Sequence, residues 1–211
     1  MQVEVYFDIL CPWCYIGKRR LTAALAGRMD AEVVWRSLEL DPEGSRTAGP
    51  TAAEVIARYQ SSPERAGARV RQIQSLGEAE GLRLDLHKAR PVNSFDAHRL
   101  VRLGAAHELA DEVLERLLYG YHTEGLDIAS HQVLERLGAE AGLEQSAVRR
   151  TLEGTEFAED VRADERSARE RGVRGVPTLV VDGGTPASAV QDVEALRRLL
   201  GSRGPGPSTD S

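Results

Sequence analysis

The chain's two cysteines stand three positions apart, as Cys11-Pro12-Trp13-Cys14, between an apolar run and the start of a helical pattern. A helix begins with unpaired N–H groups and a partial positive charge, which favour a thiolate over a thiol in its first turn. A second cysteine three positions later lies on the same helix face, within reach of a disulfide to the first. The spacing therefore points to reversible thiol chemistry. Cys11 is expected to be the nucleophile, the more exposed thiol with a lowered pKa, and Cys14 the resolving thiol buried one turn in. Zinc is the competing use of paired thiols, but it wants four ligands, and His87, His98, His107, His122 and His131 lack paired spacing. No metal is expected.

Pro12 and Trp13 sit between the thiols and are expected to tune how strongly the helix end stabilises the thiolate. Trp13 also suits an aromatic cover on the rim of the site. Asp8 lies three residues before Cys11 on an apolar strand, where an unpaired carboxylate is costly. It fits a proton relay to Cys14, a solvated strand end, or a hydrogen-bonding partner for a loop.

The elements around the pair read as a strand–helix–strand unit. Val3 to Leu10 is a short β-branched and aromatic run, Pro12 to about Ala26 a helix stopped by Gly27, and Glu32 to Leu38 a second strand. A right-handed crossover makes the two strands parallel. Helix starts follow at Thr51-Ala-Ala-Glu54 (a capping box), Ser62-Pro63, Asn93-Ser94, Ser130 and Thr155, with no convincing strand among them. The helix after Thr155 is expected to run to about Arg171, and Arg162 to Arg166 reads as its salt-bridged, solvated face. Sheet signals return with the apolar run Gly175 to Asp182, a Gly183-Gly184 turn and a return strand over Ala187 to Val190, before a last helix over Asp192 to Leu200.

The fold class is thus α/β, a thioredoxin-like fold interrupted by a large all-helical insertion. The expected division is residues 1–45 and 161–200 for the thioredoxin-like part, 46–160 for the insertion, and 201–211 for a disordered Gly/Pro/Ser-rich tail. With 41% hydrophobic and 28% charged residues, the 211-residue chain can bury a real core, which excludes wholesale disorder. A net charge of −6 argues against a nucleic-acid partner. Met1 leads straight into the first strand, and no apolar run approaches the roughly 20 residues that span a membrane. The expectation is a cytoplasmic protein with no membrane partner, where an isolated cysteine pair is catalytic, redox-sensing or metal-binding more often than structural.

Four pieces, Phe7 to Gly17, Asn93 to Leu100, Thr123 to Ile128 and Gly172 to Pro177, resemble the DsbA family, and within it the FrnE-like branch of polyketide-biosynthesis dithiol–disulfide isomerases. Some members of that branch carry further cysteines, and this chain has none. The resemblance implies that Pro177 is cis and lies against the cysteine pair, with the Val176 backbone facing an incoming peptide or thiol. An ordinary trans proline opening an edge strand is the alternative. It places Asn93 and His98 beside the site, with a helix N-cap and a packing role as their plainer readings. Ser188 and Gln191 fall where glutathione-using relatives hold the γ-glutamyl end, against a local turn or cap.

The expected activity is a thiol–disulfide oxidoreductase or isomerase acting on protein or small-molecule thiols and disulfides. It needs no tightly bound cofactor beyond the Cys11–Cys14 pair, and glutathione is a candidate co-substrate. The expected state is a monomer or homodimer. One rival is a glutathione-dependent isomerase or transferase of the 2-hydroxychromene-2-carboxylate isomerase/kappa type, which typically has serine where Cys11 stands. The other is a redox-gated partner-binding protein.

Overall fold

A computed structural model describes residues 1–201. Strand β1 (Gln2–Phe7) leads into helix α1 (Pro12–Leu25) and back to β2 (Glu32–Ser37). Helices α2 (Ala52–Arg58), α3 (Pro63–Ala79), α4 (Phe95–Ala106) and α5 (Ala110–Tyr119) follow, then a π-helical turn over Gly120–Glu124. Next come α6 (His131–Glu140), α7 (Gln145–Glu153), α8 (Ala158–Glu170), the hairpin β3 (Thr178–Val181) and β4 (Ala187–Ser188), and α9 (Val193–Gly201).

The sheet order is β2-β1-β3-β4, with β1 and β2 parallel and the other pairs antiparallel. Central β1 is buried on both faces, as the apolar run requires. Val3, Val5 and Phe7 join the main core with Ile16 and Leu21 of α1. Tyr6 points the other way, into a smaller cluster with Ala168 of α8, Val173 and Val180. This is the period of two that a doubly covered strand imposes.

Two polar ties fix the helices on that sheet. Lys18 of α1 is buried and reaches Asp111 (2.8 Å) and Glu115 (3.0 Å), and the Tyr15 hydroxyl donates to Glu115 at 2.7 Å, so α5 is held against α1. On the other face Glu4 accepts from Arg36 and Arg171, while Asp164 of α8 accepts the Ser37 N–H at 2.8 Å and pairs with Arg102.

Several boundaries differ from the sequence reading. The capping box at Thr51 and the Ser62 and Ser130 caps form. At α4 the cap residue is Ser94 rather than Asn93, whose Oδ1 instead accepts the Phe95 N–H at 3.2 Å. Helix α8 begins at Ala158, after Phe157 in the left-handed region (φ 61°), so Thr155 lies outside it. The run Arg162 to Arg166 is a solvated face only in part: Ala163 and Arg166 are exposed and Arg162 pairs with Glu165 along the helix, but Asp164 and Glu165 are buried and Asp164 pairs with Arg36 and Arg102 of other elements. At the C-terminus Gly201 belongs to α9, and the rest of the expected tail lies outside the described residues.

Candidate active site

The CPWC segment turns at the carboxyl end of β1. Cys11 is the N-cap residue of α1, in extended backbone (φ −88°, ψ 112°), and Pro12 occupies the first helical position, where a missing N–H costs nothing. The Cys14 N–H closes onto the Cys11 carbonyl at 3.0 Å. The two thiols are not joined by a disulfide.

Their environments push the two sulfurs apart. A hydrogen bond from Cys14 lowers the Cys11 pKa most; burial opposes it, and the backbone N–H groups of Cys14 and Trp13 in the first turn lower it further. Burial pushes Cys14 well up, and its contact with Cys11 adds to the rise. The net result is an acidic Cys11 beside a proton-holding Cys14. One expectation needs correcting: Cys11 is nearly as buried as Cys14, at 5% against 3% exposed. The helix terminus is also not the leading cause of its acidity, since the neighbouring thiol contributes more.

Access to Cys11 runs through a cleft of about 400 Å³. Beside Cys11 its lining includes Trp13 and Val176, and Leu40, Ile56, Tyr59 and Ile73 add apolar surface. Tyr59 is 83% and Leu40 55% exposed. Arg69 of α3 lies over the Trp13 ring at 4.9 Å and is the one charged side chain lining the cleft among the described residues. Trp13 is therefore part of the rim.

The Val176–Pro177 peptide bond is cis. The loop lies against the pair, with the Cys11 Sγ 3.9 Å from the Val176 carbonyl oxygen. Gly17 of α1 permits the approach, since a Cβ there would meet the Ala189 carbonyl oxygen at 3.0 Å and Pro177 Cγ at 3.2 Å.

Asp8 lies beneath the thiols, fully buried, which excludes a solvated strand end. Its N–H donates to Cys14 Sγ at 3.5 Å. Its carboxylate accepts the Leu40 N–H (2.6 Å) and the Leu10 N–H (3.2 Å), and lies 3.4 Å from His98 Nε2. Burial pushes Asp8 up, but His98 and the two backbone donors outweigh it and hold the carboxyl below its usual range. His98 is fully buried, its ring tilted against Phe7 at 4.9 Å, so it cannot contact a substrate.

The remaining expected residues stand apart from the sulfurs. Asn93 also donates through Nδ2 to the Pro42 carbonyl at 3.3 Å, and it lines a separate recess with Arg162. Ser188 and Gln191 form a local turn: the Ser188 Oγ accepts the Val190 N–H, and Gln191 Nε2 donates to the Ser188 carbonyl. Neither lines the Cys11 cleft.

Two residues beneath the pair were not singled out from sequence. His122 and Tyr121 occupy the π-helical turn, both fully buried, the phenol oxygen without a hydrogen-bond partner and the imidazole with no well-formed side-chain bond. Burial lowers the His122 pKa to about 4 against the favourable backbone at Ile9 and Cys11, so its ring is neutral at physiological pH. Among the described residues no cluster of three or more His, Cys, Asp or Glu side chains is arranged to hold a metal ion.

A thioredoxin sheet with a helical segment between β2 and β3, a C-x-x-C pair opening α1 and a cis-Pro loop against it define a DsbA-like thioredoxin protein. The chain matches the DSBA-like thioredoxin domain family over residues 2–201 and belongs to it. It is 34% identical to a probable DsbA oxidoreductase from Streptomyces coelicolor, covering 100% of this chain and 94% of that one with a TM-score of 0.91. A 2-hydroxychromene-2-carboxylate isomerase shares the fold at 18% identity and a TM-score of 0.69, covering 96% of this chain and 94% of that one. So does the cytosolic disulfide reductase DsbM from Pseudomonas aeruginosa, at 21% identity and a TM-score of 0.64, covering 96% and 98%; that reductase has also been solved with GSH. The family is one of thiol oxidoreductases. No helix among the described residues is long and apolar enough to cross a membrane.

Proposed function

We propose that the protein exchanges disulfides through Cys11 and Cys14. The observation that carries this reading is the opposed pair of thiol environments, an acidified Cys11 facing the cleft and a Cys14 held protonated behind it. The Cys11 thiolate attacks a substrate disulfide, forming a Cys11–substrate bond and releasing one thiolate. Cys14 gives up its proton, attacks Cys11 Sγ and releases the second thiolate, so two electrons pass from the dithiol to the substrate. Oxidised protein runs the same steps in reverse. Asp8, whose N–H donates to Cys14 Sγ and whose buried charge holds the Cys14 proton on, is proposed to help accept that proton as Cys14 attacks.

The apolar walls and exposed Leu40 and Tyr59 suit a peptide or hydrophobic small-molecule disulfide, with the Val176 backbone beside the reacting sulfur. Glutathione is the soluble thiol proposed to recycle the pair, in a cytoplasmic setting. Isomerisation, a FrnE-like role in polyketide assembly and the division at residues 46–160 belong to the same proposal. Turnover of a fluorescent peptide disulfide by wild type, lost in Cys11→Ser, is the expected result. Single-turnover partner capture in one redox state would favour the redox-gated binder. Glutathione-dependent isomerisation of a small aromatic substrate retained by Cys11→Ser would favour the isomerase.

A further inference from the structure

We infer that the outer edge of β2 is a docking groove, which takes a short, extended, basic segment of a partner protein as an added strand. The groove shares no lining residue with the cysteine cleft. It flanks the start of β1 and not the end that leads to Cys11, so the inference stands apart from the disulfide-exchange reading.

Strand β2 is an edge of the sheet, with β1 as its one neighbour. In a parallel pair, alternate residues turn both backbone groups toward the partner strand and those between turn them away. The Glu32 N–H donates to the Met1 carbonyl at 2.9 Å and the Leu38 N–H to the Phe7 carbonyl at 3.0 Å, so the even-numbered residues face β1. Val33, Trp35 and Ser37 therefore face outward. Ser37 obeys the pattern, since its N–H donates to Asp164 of α8 at 2.8 Å. Among the described residues nothing pairs with the outward N–H and carbonyl groups of Val33 and Trp35. Trp35 is only 7% exposed, which makes an unpaired amide there costly. The edge is thus closed at one end by Asp164 and open at the other.

A groove of about 750 Å³ lies along the open stretch. Four successive residues, Glu32 to Trp35, line it. Their side chains alternate between the two faces of the sheet, so a groove that touches all four follows the backbone edge. Leu25 of α1 and Ala105 of α4 add apolar surface. The charge of the lining is one-sided. Glu32, Glu108 and Glu112 are exposed and form no ion pair among the described residues, and Asp111 adds a fourth carboxylate, paired with Lys18. The one cation in the lining, Arg102, is already tied to Asp164. A second copy of a chain with net charge −6 is a poor complement to this rim. A guest strand alternating basic and apolar residues complements it on both counts: its backbone meets the free groups of Val33 and Trp35, its cations the carboxylates, and its apolar side chains Leu25 and Ala105.

The test is amide hydrogen exchange of the full chain, read residue by residue by NMR, with the peptide Lys-Val-Lys-Val-Lys-Val and its Glu-Val-Glu-Val-Glu-Val counterpart. At about ten times its Kd the lysine peptide should slow exchange at Val33 and Trp35 about tenfold, and its affinity should fall as salt rises. The glutamate peptide should leave both amides unchanged. Val33→Pro removes one outward donor and no bond to β1, a change that an edge strand tolerates, and should weaken the lysine peptide about tenfold. Glu108→Gln with Glu112→Gln should weaken it about fivefold at low salt, and carries the test if Val33→Pro does not fold. Both variants should turn over a small hydrophilic disulfide at the wild-type rate. Equal binding of the two peptides, protection elsewhere in the chain, or no protection at all overturns the inference. So does protection of Val33 and Trp35 that rises with protein concentration without peptide, which would assign the edge to a second copy. A wild-type protein that exchanges no disulfide yet shows the expected protection refutes the exchange reading and leaves the docking groove standing.

Discussion

Replacing His122 tests the electrostatics beneath the cysteines. The imidazole is fully buried among Tyr15 and Tyr121 with only the backbone of Ile9 and Cys11 beside its nitrogens, and burial takes its pKa from 6.5 to about 4. Between those values the unfolded chain binds a proton that the folded chain refuses. Stability from this group is therefore complete above pH 6.5 and is lost as pH falls through about 4. The fall corresponds to about 3 kcal/mol, a large share of an ordinary domain's stability. Glu39 acts oppositely over an overlapping window: its raised pKa gives stability that is full below 4.5 and lost as pH rises through about 7. Comparing His122→Leu with wild type at each pH cancels that contribution and the other shared titrations. Urea unfolding at steps from pH 7 to pH 4 gives the two stability curves. The difference should move in the variant's favour by about 3 kcal/mol across that range, whatever its value at pH 7. Parallel curves would refute the claim that a neutral, buried histidine lies by the active-site turn.

Other outcomes follow from the geometry of the pair and its cleft. Cys14→Ala should accumulate a mixed disulfide on Cys11, visible by mass spectrometry, and should also raise the Cys11 pKa because the largest acidifying contact is gone; absence of the adduct would remove the resolving role from Cys14. Gly17→Ala forces a methyl group against the Ala189 carbonyl and Pro177, so about 1–3 kcal/mol of stability and much of the exchange rate should be lost. Unchanged melting and unchanged turnover would show that the Val-Pro loop yields freely. Tyr59→Ala with Leu40→Ser should raise the KM for an apolar peptide disulfide about tenfold, from lost apolar contact, while leaving reaction with a small hydrophilic disulfide unaltered. Equal effects on both substrates would argue that the cleft walls do not bind substrate.

The parts of the fold readable in sequence were those fixed by neighbours in the chain. The strand–CPWC–helix junction, the parallel β1–β2 crossover, the Thr51 capping box and the Val-Pro hairpin each carry a local signal of a few residues. Errors of register arose where two residues compete for one role, as with Asn93 and Ser94 at the start of α4, or where a residue takes an unusual backbone angle, as Phe157 does before α8. The charged α8 run reads as solvated because its partners, Arg36 and Arg102 for Asp164 and Glu39 for Arg162, lie on segments far away in the chain. The cleft walls and the His122 and His98 placements have the same origin. No spacing rule announces that Tyr59 of the α2 end, Arg69 of α3 and Leu40 of a loop converge on Cys11, since tertiary packing alone brings them there. Asp8 lies between these cases: its cost on an apolar strand was evident, and its donors, Leu10 nearby and Leu40 far off, were not.

The central claim is that Cys11 is the acidic, attacking thiol of the pair. It is tested most directly by the pH dependence of alkylation of the reduced wild-type protein, with the modified residue identified by mass spectrometry. The account predicts modification at Cys11 with a midpoint below that of free cysteine, about 8.5, while Cys14 stays unmodified until far higher pH. A Cys11 midpoint at or above the free value, or first reaction at Cys14, would contradict it.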